Sequence, residues 1–254
     1  KKQYIESDFI CFTNNKNIIS NGWIIDDTTY HLTNNPNCNA DKLNSVKNNS
    51  HTFNIAKYYK TSWHNIPVLK KYDIVVWLDG TMGVNNSYTS NILVNIFTTS
   101  DKKMITYNHN ERLSLKDEVI GSNDLIEQER TNGALQARYQ TTFWFNQKQP
   151  FQDINNQYKQ YIEDGYNDSY FTNRTNINAY VFVTCFVAFL NTAENHKFLD
   201  LWYEQILNFT TQDQISYPYV CSKLQTAPYV IPDNKFVHGS YWKSNVSEKN
   251  AHRK

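Results

Sequence analysis

The chain has 254 residues, with 25 Lys and Arg against 24 Asp and Glu, for a formal net charge of +1. That length suits one α/β domain, and the near-neutral balance removes the electrostatic case for duplex nucleic acid or an anionic membrane surface. Hydrophobic residues make up 40% and aromatics 15%, with 18 Tyr, 14 Phe and 6 Trp, which is enough apolar area to bury a core and excludes a disordered chain.

In chain order, residues 8–13 read as a buried strand ended by the turn-forming Asn14–Asn17, and Trp23–Ile25 as a second short strand. Residues 33–51 are rich in Asn and Ser and read as a surface loop. Ile55 to Leu69 reads as helical, carrying Lys57, Lys60 and His64. Residues 72–78 form the clearest strand, nearly continuous in apolar character as in a sheet covered on both faces, and end at Asp79-Gly80 in a tight turn. Ile92–Phe97 and Met104–Tyr107 are further apolar pieces, the second leading to His109. Leu115 to Tyr139 is polar and helical, and Tyr158–Ile162 is a short helix. Tyr180–Leu190 is a strong buried strand or strand pair, and Glu194–Phe209 is an amphipathic helix. Thr211–Leu224 holds one more helix, Tyr229–Ile231 a final strand, and residues 244–254 a flexible tail. Strands alternating with helices indicate an α/β layered domain.

Asn is the commonest residue at 34, which reads as the codon bias of an AT-rich genome rather than as a functional signal. With so much Asn, the triplets at Asn48, Asn85, Asn173 and Asn208 are expected by chance and are no sign of secretion. Cys11, Cys38, Cys185 and Cys221 lie far apart without a CxxC pair, and buried free thiols favour a reducing compartment. A cytoplasmic place is therefore favoured over a secreted one. The longest apolar run, Ala179 to Leu190, has 12 residues and is too short to span a bilayer. The chain opens at Lys1 without a signal-peptide pattern, as a processed form or an excised domain would.

Four constellations carry candidate chemistry. Asp79 stands just past a buried strand, where open α/β sheets bind ligands, although from spacing alone a plain Asp-Gly turn is the commoner reading. His238-Gly239 with Lys243 offers an imidazole, an approachable amide and a cation, suited to a metal-bound diphosphate; a surface loop is the plainer reading. Thr210 or Thr211 can cap a helix whose first turn holds Asp213. Asp213 is otherwise a general base or sugar ligand with Gln214 beside it. His109 and Arg112 follow another apolar strand, and Lys57 and Lys60 lie upstream of Asp79.

These motifs occur in an order that resembles a glycosyltransferase-like domain family of plants, bacteria and large DNA viruses, a branch of the GT-A nucleotide-sugar transferases. The resemblance runs from about Phe9 to Lys243. It rests on Phe12-Thr13-Asn14, Lys57, Lys60 and His64, the Tyr72-Asp73 to Asp79-Gly80 strand, and His109-x-x-Arg112 with Glu118. Gln128, Trp202-x-Glu204, Thr210-x-x-Asp213-Gln214-x-Ser216 and Tyr219-Val220 complete it. Gln212 stands where the family usually has Arg, and Asp79-Gly80-Thr81 replaces the usual Asp-x-Asp.

The resemblance implies a single GT-A (Rossmann-like) domain over residues 1–254, with a mixed, mostly parallel central sheet flanked by helices. It implies a hexosyltransferase-type enzyme moving a sugar from a nucleoside diphosphate sugar, UDP-sugar favoured, to a hydroxyl of a glycan or glycoprotein. By resemblance Asp79 and His238 would ligate Mn²⁺ or Mg²⁺, and Asp213 with Gln214 would be catalytic. Phe12, Thr13 and Asn14 would hold the nucleobase and ribose. Lys57, Lys60, His109, Arg112, Gly239 and Lys243 would contact the donor. The alternative is a non-catalytic carbohydrate-binding or structural glycan-associated protein.

Overall fold

The computed structural model describes residues 2–33, 51–80, 82–84, 86–131, 154–232 and 242–244, with the backbone alone of 32–33, 51–53, 125–131 and 242–244. Two short strands, β1 (Ile10–Phe12) and β2 (Ile24–Asp26), pair in parallel. Helix α1 (Tyr30–Thr33) and helix α2 (His51–Thr61) flank the 33–51 segment, so its two ends are helical and its interior lies outside the described residues. Two 3-10 turns, Trp63–Asn65 and Pro67–Leu69, follow α2 where helix was expected to continue to Leu69. Pro67 fits the start of the second turn, because its missing N–H is not needed at a first helical position.

The central sheet contains β3 (Ile74–Leu78), β5 (Met104–Asn108), β6 (Phe182–Leu190) and β7 (Tyr229–Ile231), in the order β3-β6-β5-β7. Strands β3, β5 and β7 point the same way, whereas β6 lies between β3 and β5 and runs antiparallel to both. The sheet is therefore mixed and the fold is α/β and Rossmann-like, with β6 making two of its three pairings antiparallel. The apolar piece 92–97 belongs to helix α3 (Thr89–Thr99). A strand pair that the sequence pattern does not announce joins β4 (Met82–Val84) to β8 (Trp242–Ser244), so the expected C-terminal tail begins inside a strand.

Period-2 alternation sorts the sheet's side chains to two faces. Ile105, Tyr107, Phe186, Ala188 and Ile231 pack with Leu93, Ile96 and Phe97 of α3. Met104, Val187, Phe189 and Val230 pack on the other face. That face is covered by α2, α4 (Leu115–Thr131), α5 (Ile154–Glu163), α6 (Ala193–Asn208) and α7 (Asp213–Lys223). Of α6, Phe198, Trp202 and Ile206 are buried as the amphipathic spacing predicts, joined by Leu199 and Tyr203, whereas Leu201 and Gln205, expected on the same stripe, are half-buried. Its start is capped by Thr192, whose side chain accepts the Asn195 N–H. At α7 the cap position is taken by Gln212 with no side-chain cap bond; Thr210 Oγ1 accepts the Gln212 N–H at 3.1 Å instead.

The β5–β6 pairing slips within the sheet. Thr106 faces Val187 while the next residue, Tyr107, faces Val183, so residues 184–186 of β6 have no partner on β5. The buried Thr106 hydroxyl donates to the Val183 carbonyl at 3.1 Å and lies 3.3 Å from that of Phe186, which closes the bulge. Such irregularities re-aim side chains next to functional sites. Cys11 and Cys185 are half-buried free thiols and Cys221 is buried.

Candidate active site

The carboxyl ends of β3 and β5 open onto one edge of the sheet, and the amino end of the antiparallel β6 lies at that same edge. Asp79 follows β3, and its N–H bonds the Cys185 carbonyl at 2.9 Å. Its carbonyl accepts the Met82 N–H at 2.8 Å, so the expected turn forms. Gly80 is not left-handed, and a Cβ there would meet nothing within 4 Å, so the turn itself does not require glycine. The Asp79 carboxylate accepts the Trp77 indole N–H at 2.6 Å.

Thr184, the first of the three bulged residues, donates its hydroxyl to Asp213 Oδ1 at 3.0 Å. Asp213 Oδ2 lies 2.5 Å from Lys60 Nζ and 2.8 Å from Lys57 Nζ. Lys60 also reaches toward Asp79 Oδ1 at 3.8 Å and sits over the Trp202 ring, 5.6 Å from its centroid. The Trp202 indole donates to the Asp213 carbonyl at 3.1 Å. Lys60 is 1% exposed and the Asp213 side chain 7%, against 41% for Asp79. Two lysines three residues apart on α2 share a face of the helix, and both converge on the first turn of α7.

The balance of charge is uneven within this cluster. Burial alone would raise the Asp213 carboxyl, but the two ammonium groups outweigh it and hold the group well below the usual carboxylate range. Burial opposes the charge on Lys60, yet Asp213 and Asp79 together carry it above its ordinary value. For Lys57 burial prevails, Lys60 adds to it, and the ammonium is lowered despite Asp213. Lys60 is thus the firmly held cation and Lys57 the more readily neutralised one.

A second cluster adjoins the first. Glu118 of α4 is 1% exposed and pairs with Arg112 Nη1, while His109 Nε2 lies 4.0 Å away. His109 Nδ1 accepts the Glu111 N–H at 3.3 Å, which leaves the proton on Nε2, facing Glu118. Ser122 donates to Glu118 Oε1 at 3.0 Å, and Gln214 Nε2 donates to the same oxygen at 3.1 Å. Gln214, expected beside Asp213 as a sugar contact, therefore ties α7 to the His109–Arg112 loop.

The structure brings together Lys57, Lys60, Asp79 and Asp213, and links them through Gln214 to His109 and Arg112. Phe12 stacks on Tyr59 of α2 (centroids 4.9 Å apart) and meets the Tyr30 ring edge-on. Thr13 Oγ1 accepts the Asn15 N–H, and Asn14 is exposed. A cavity of about 910 Å³ between the β1–β2 pair and β3 is lined by Phe12 and Tyr59 and by Trp77, Asp79 and Gly80. His64 lies apart from the site: its Nε2 is 3.0 Å from Asp200, and its ring stacks on His196 at 4.8 Å. His238 and Gly239 lie outside the described residues, and of Lys243 only the backbone, in β8, is described.

Thr184 and Glu118 are central here. The sequence reading noted Glu118 only as an acidic residue following His109 and Arg112, and Thr184 was hidden inside an apolar strand, where the bulge sets it beside Asp213. Among the described residues no group of three His, Cys, Asp or Glu side chains is placed to hold a metal ion. Asp79 has the Lys60 ammonium beside it, shared with Asp213, and its expected fellow ligand His238 lies outside the described residues.

A family model described as TOD1/MUCI70, glycosyltransferase-like domain, matches residues 46–241. The chain belongs to this family. No curated protein and no solved structure matches the chain at a significant level. The matched span contains Lys57, Lys60, Asp79, His109, Arg112, Glu118 and Asp213, and leaves β1 and β2 outside it. As a glycosyltransferase-like domain the chain has a sugar donor and an acceptor as its partners. Among the described residues, no helix is long and apolar enough to cross a membrane.

Proposed function

We propose that this domain transfers a sugar from a nucleoside diphosphate sugar, UDP-sugar favoured, to a hydroxyl on a glycan or glycoprotein. The observation that carries the reading is the meeting of Lys57, Lys60, Asp79 and Asp213 at the carboxyl edge of the sheet, beside a cavity large enough for a nucleotide. Charge develops on the leaving diphosphate during transfer, and preorganised cations stabilise it where it forms. Among the described residues, Lys57, Lys60 and Arg112 are placed to supply that positive charge.

Asp213 is a weak proton acceptor while both ammonium groups hold it. A diphosphate drawing Lys57 and Lys60 toward itself frees that carboxylate to take the acceptor's proton, which orders the two events: donor first, acceptor second. Phe12, with Tyr59 behind it, offers the nucleobase an aromatic wall.

The test is turnover of a panel of UDP- and GDP-sugars by the wild type and by Asp79→Ala and Asp213→Asn. Loss of at least about a hundredfold in each variant is expected; wild-type rates in both refute the proposal. Thermal midpoints with UDP or GDP, with Mn²⁺ or with a chelator, read nucleotide binding and its cation dependence separately, since a ligand that binds only the native state must raise the midpoint. A glycan that raises the midpoint while no nucleotide does favours the carbohydrate-binding alternative.

A further inference from the structure

Residues Glu118, Gly121 and Ser122 lie three and four positions apart on α4, so they share one face of the helix. That face is where Arg112 rests. Nη1 of Arg112 pairs with Glu118, and Ser122 steadies the other Glu118 oxygen at 3.0 Å. The rest of the guanidinium lies over Gly121: a Cβ there would stand 2.7 Å from Nε and 2.8 Å from both Cζ and Nη2. No side chain of any size fits between them. Glycine inside a helix costs about 0.5–1 kcal/mol relative to alanine, and here it is what allows the guanidinium to lie against the helix.

The loop bearing Arg112 is fixed as well. Asp117 Oδ2 accepts the Leu113 N–H at 3.1 Å, and Ser114 Oγ accepts the Asp117 N–H at 3.1 Å. These reciprocal bonds hold the start of α4 in the manner of a capping box. Arg112 keeps 24% of its side chain open. Among the described residues its hydrogen bonding goes to Glu118 alone, and a guanidinium carries five N–H donors in a planar fork suited to phosphate oxygens. Through Gln214, Glu118 also connects this fork to the Asp213 cluster.

We propose that Gly121 is a positioning residue: with Glu118 it seats the Arg112 guanidinium so that its open edge binds a phosphate-type anion at this site. The inference rests on the proposed function only in identifying that anion as the donor's diphosphate. A methyl group at position 121 must displace the guanidinium by roughly 1 Å to reach ordinary contact distance. Misplacement on that scale is enough to cost about a hundredfold in a tuned site.

The experiment titrates pyrophosphate, UDP and GDP into the wild type, Gly121→Ala, Arg112→Ala, Arg112→Lys and the Gly121→Ala/Arg112→Ala double variant. Wild type binds pyrophosphate, and Gly121→Ala weakens it by about tenfold or more with a thermal midpoint within about 3 °C of wild type. Arg112→Lys, which keeps the charge and loses the fork, falls close to Arg112→Ala. The double variant is no weaker than Arg112→Ala alone, because Gly121 acts only through that side chain.

Unchanged pyrophosphate affinity in Gly121→Ala, or additive losses in the double variant, overturns the inference. So does a large drop in midpoint for Gly121→Ala, since the helix rather than the guanidinium would then have yielded. If pyrophosphate binds and responds to Gly121→Ala while neither nucleotide binds, the seat stands and the nucleotide-sugar reading fails. If UDP or GDP binds equally to wild type and Gly121→Ala, the seat fails and the nucleotide-sugar reading is untouched. A wild type that binds none of the three probes refutes both.

Discussion

Replacing Asp213 with Asn removes a carboxylate that holds two ammonium groups at 2.5 and 2.8 Å in an almost fully buried place. The Asn Oδ1 can still accept the Thr184 hydroxyl, but its amide would face Lys57 and Lys60 with no negative charge. Removing one partner of a buried pair costs about 3–5 kcal/mol. Asp79, 3.8 Å from Lys60, remains as partial compensation and places the expected loss near about 3 kcal/mol.

For a chain of this size that corresponds to a fall in thermal midpoint of roughly 6–12 °C. The lowered Asp213 value gives stability that is present above its unfolded pKa of about 3.9 and is lost as pH falls through the folded value. The raised Lys60 value gives stability that is complete below about 10.4 and is lost as pH rises through the folded value. Lys57, already lowered, runs the other way and stabilises as pH rises.

Without Asp213 both lysines follow the sense of Lys57, so the deficit of Asp213→Asn narrows between about pH 7 and pH 10. Urea unfolding of both proteins at pH 7 and pH 9.5 measures this. A deficit below about 1 kcal/mol at pH 7, or one that does not shrink at the higher pH, refutes the argument that burial makes this cluster strong.

The bulge in β6 makes its own prediction. Thr184→Val leaves Asp213 Oδ1 without its donor and lowers stability by about 1.5–3 kcal/mol, read in the same unfolding experiment. Between α5 and α7, Tyr161 and Tyr219 stack at 3.6 Å, and the Tyr219 hydroxyl donates to Asp164 at 2.6 Å. Tyr219→Phe keeps the stack and loses about 1 kcal/mol, whereas Tyr219→Ala loses about 3–5 kcal/mol; equal losses would show that the hydroxyl rather than the ring matters. Removing Asp79 is expected to reduce transfer without comparable unfolding, because its side chain is 41% exposed; a large fall in midpoint for Asp79→Ala would assign it a structural role.

The sequence made its strongest statements where the signal is local. The apolar run before Asp79 and the short apolar strand at Tyr229–Ile231 correspond to β3 and β7, and the amphipathic spacing of 194–209 corresponds to α6. The two strands follow from short continuous apolar runs and the helix from its 3.6-residue periodicity, signals that each segment carries by itself. The same local pattern placed Asp79 past a strand and Asp213 in the first turn of a helix.

Who pairs with whom was decided only by the tertiary structure. Lys57 and Lys60 look like a solvated helix face until α2 packs beside α7 and buries them against Asp213. Thr184 and Asp213 are 29 residues apart, and Gln214 and Glu118 are 96; no periodicity encodes such pairs. The three-residue slip in β6 hides within a largely apolar run, and β3 still pairs with Phe186, one of the three residues that β5 leaves unpaired. Gly121 reads as a weak point in α4 until Arg112 is seen lying on it. Local patterning fixes where backbone hydrogen bonds and apolar faces go, while the charge of a buried site depends on partners that only folding brings within reach.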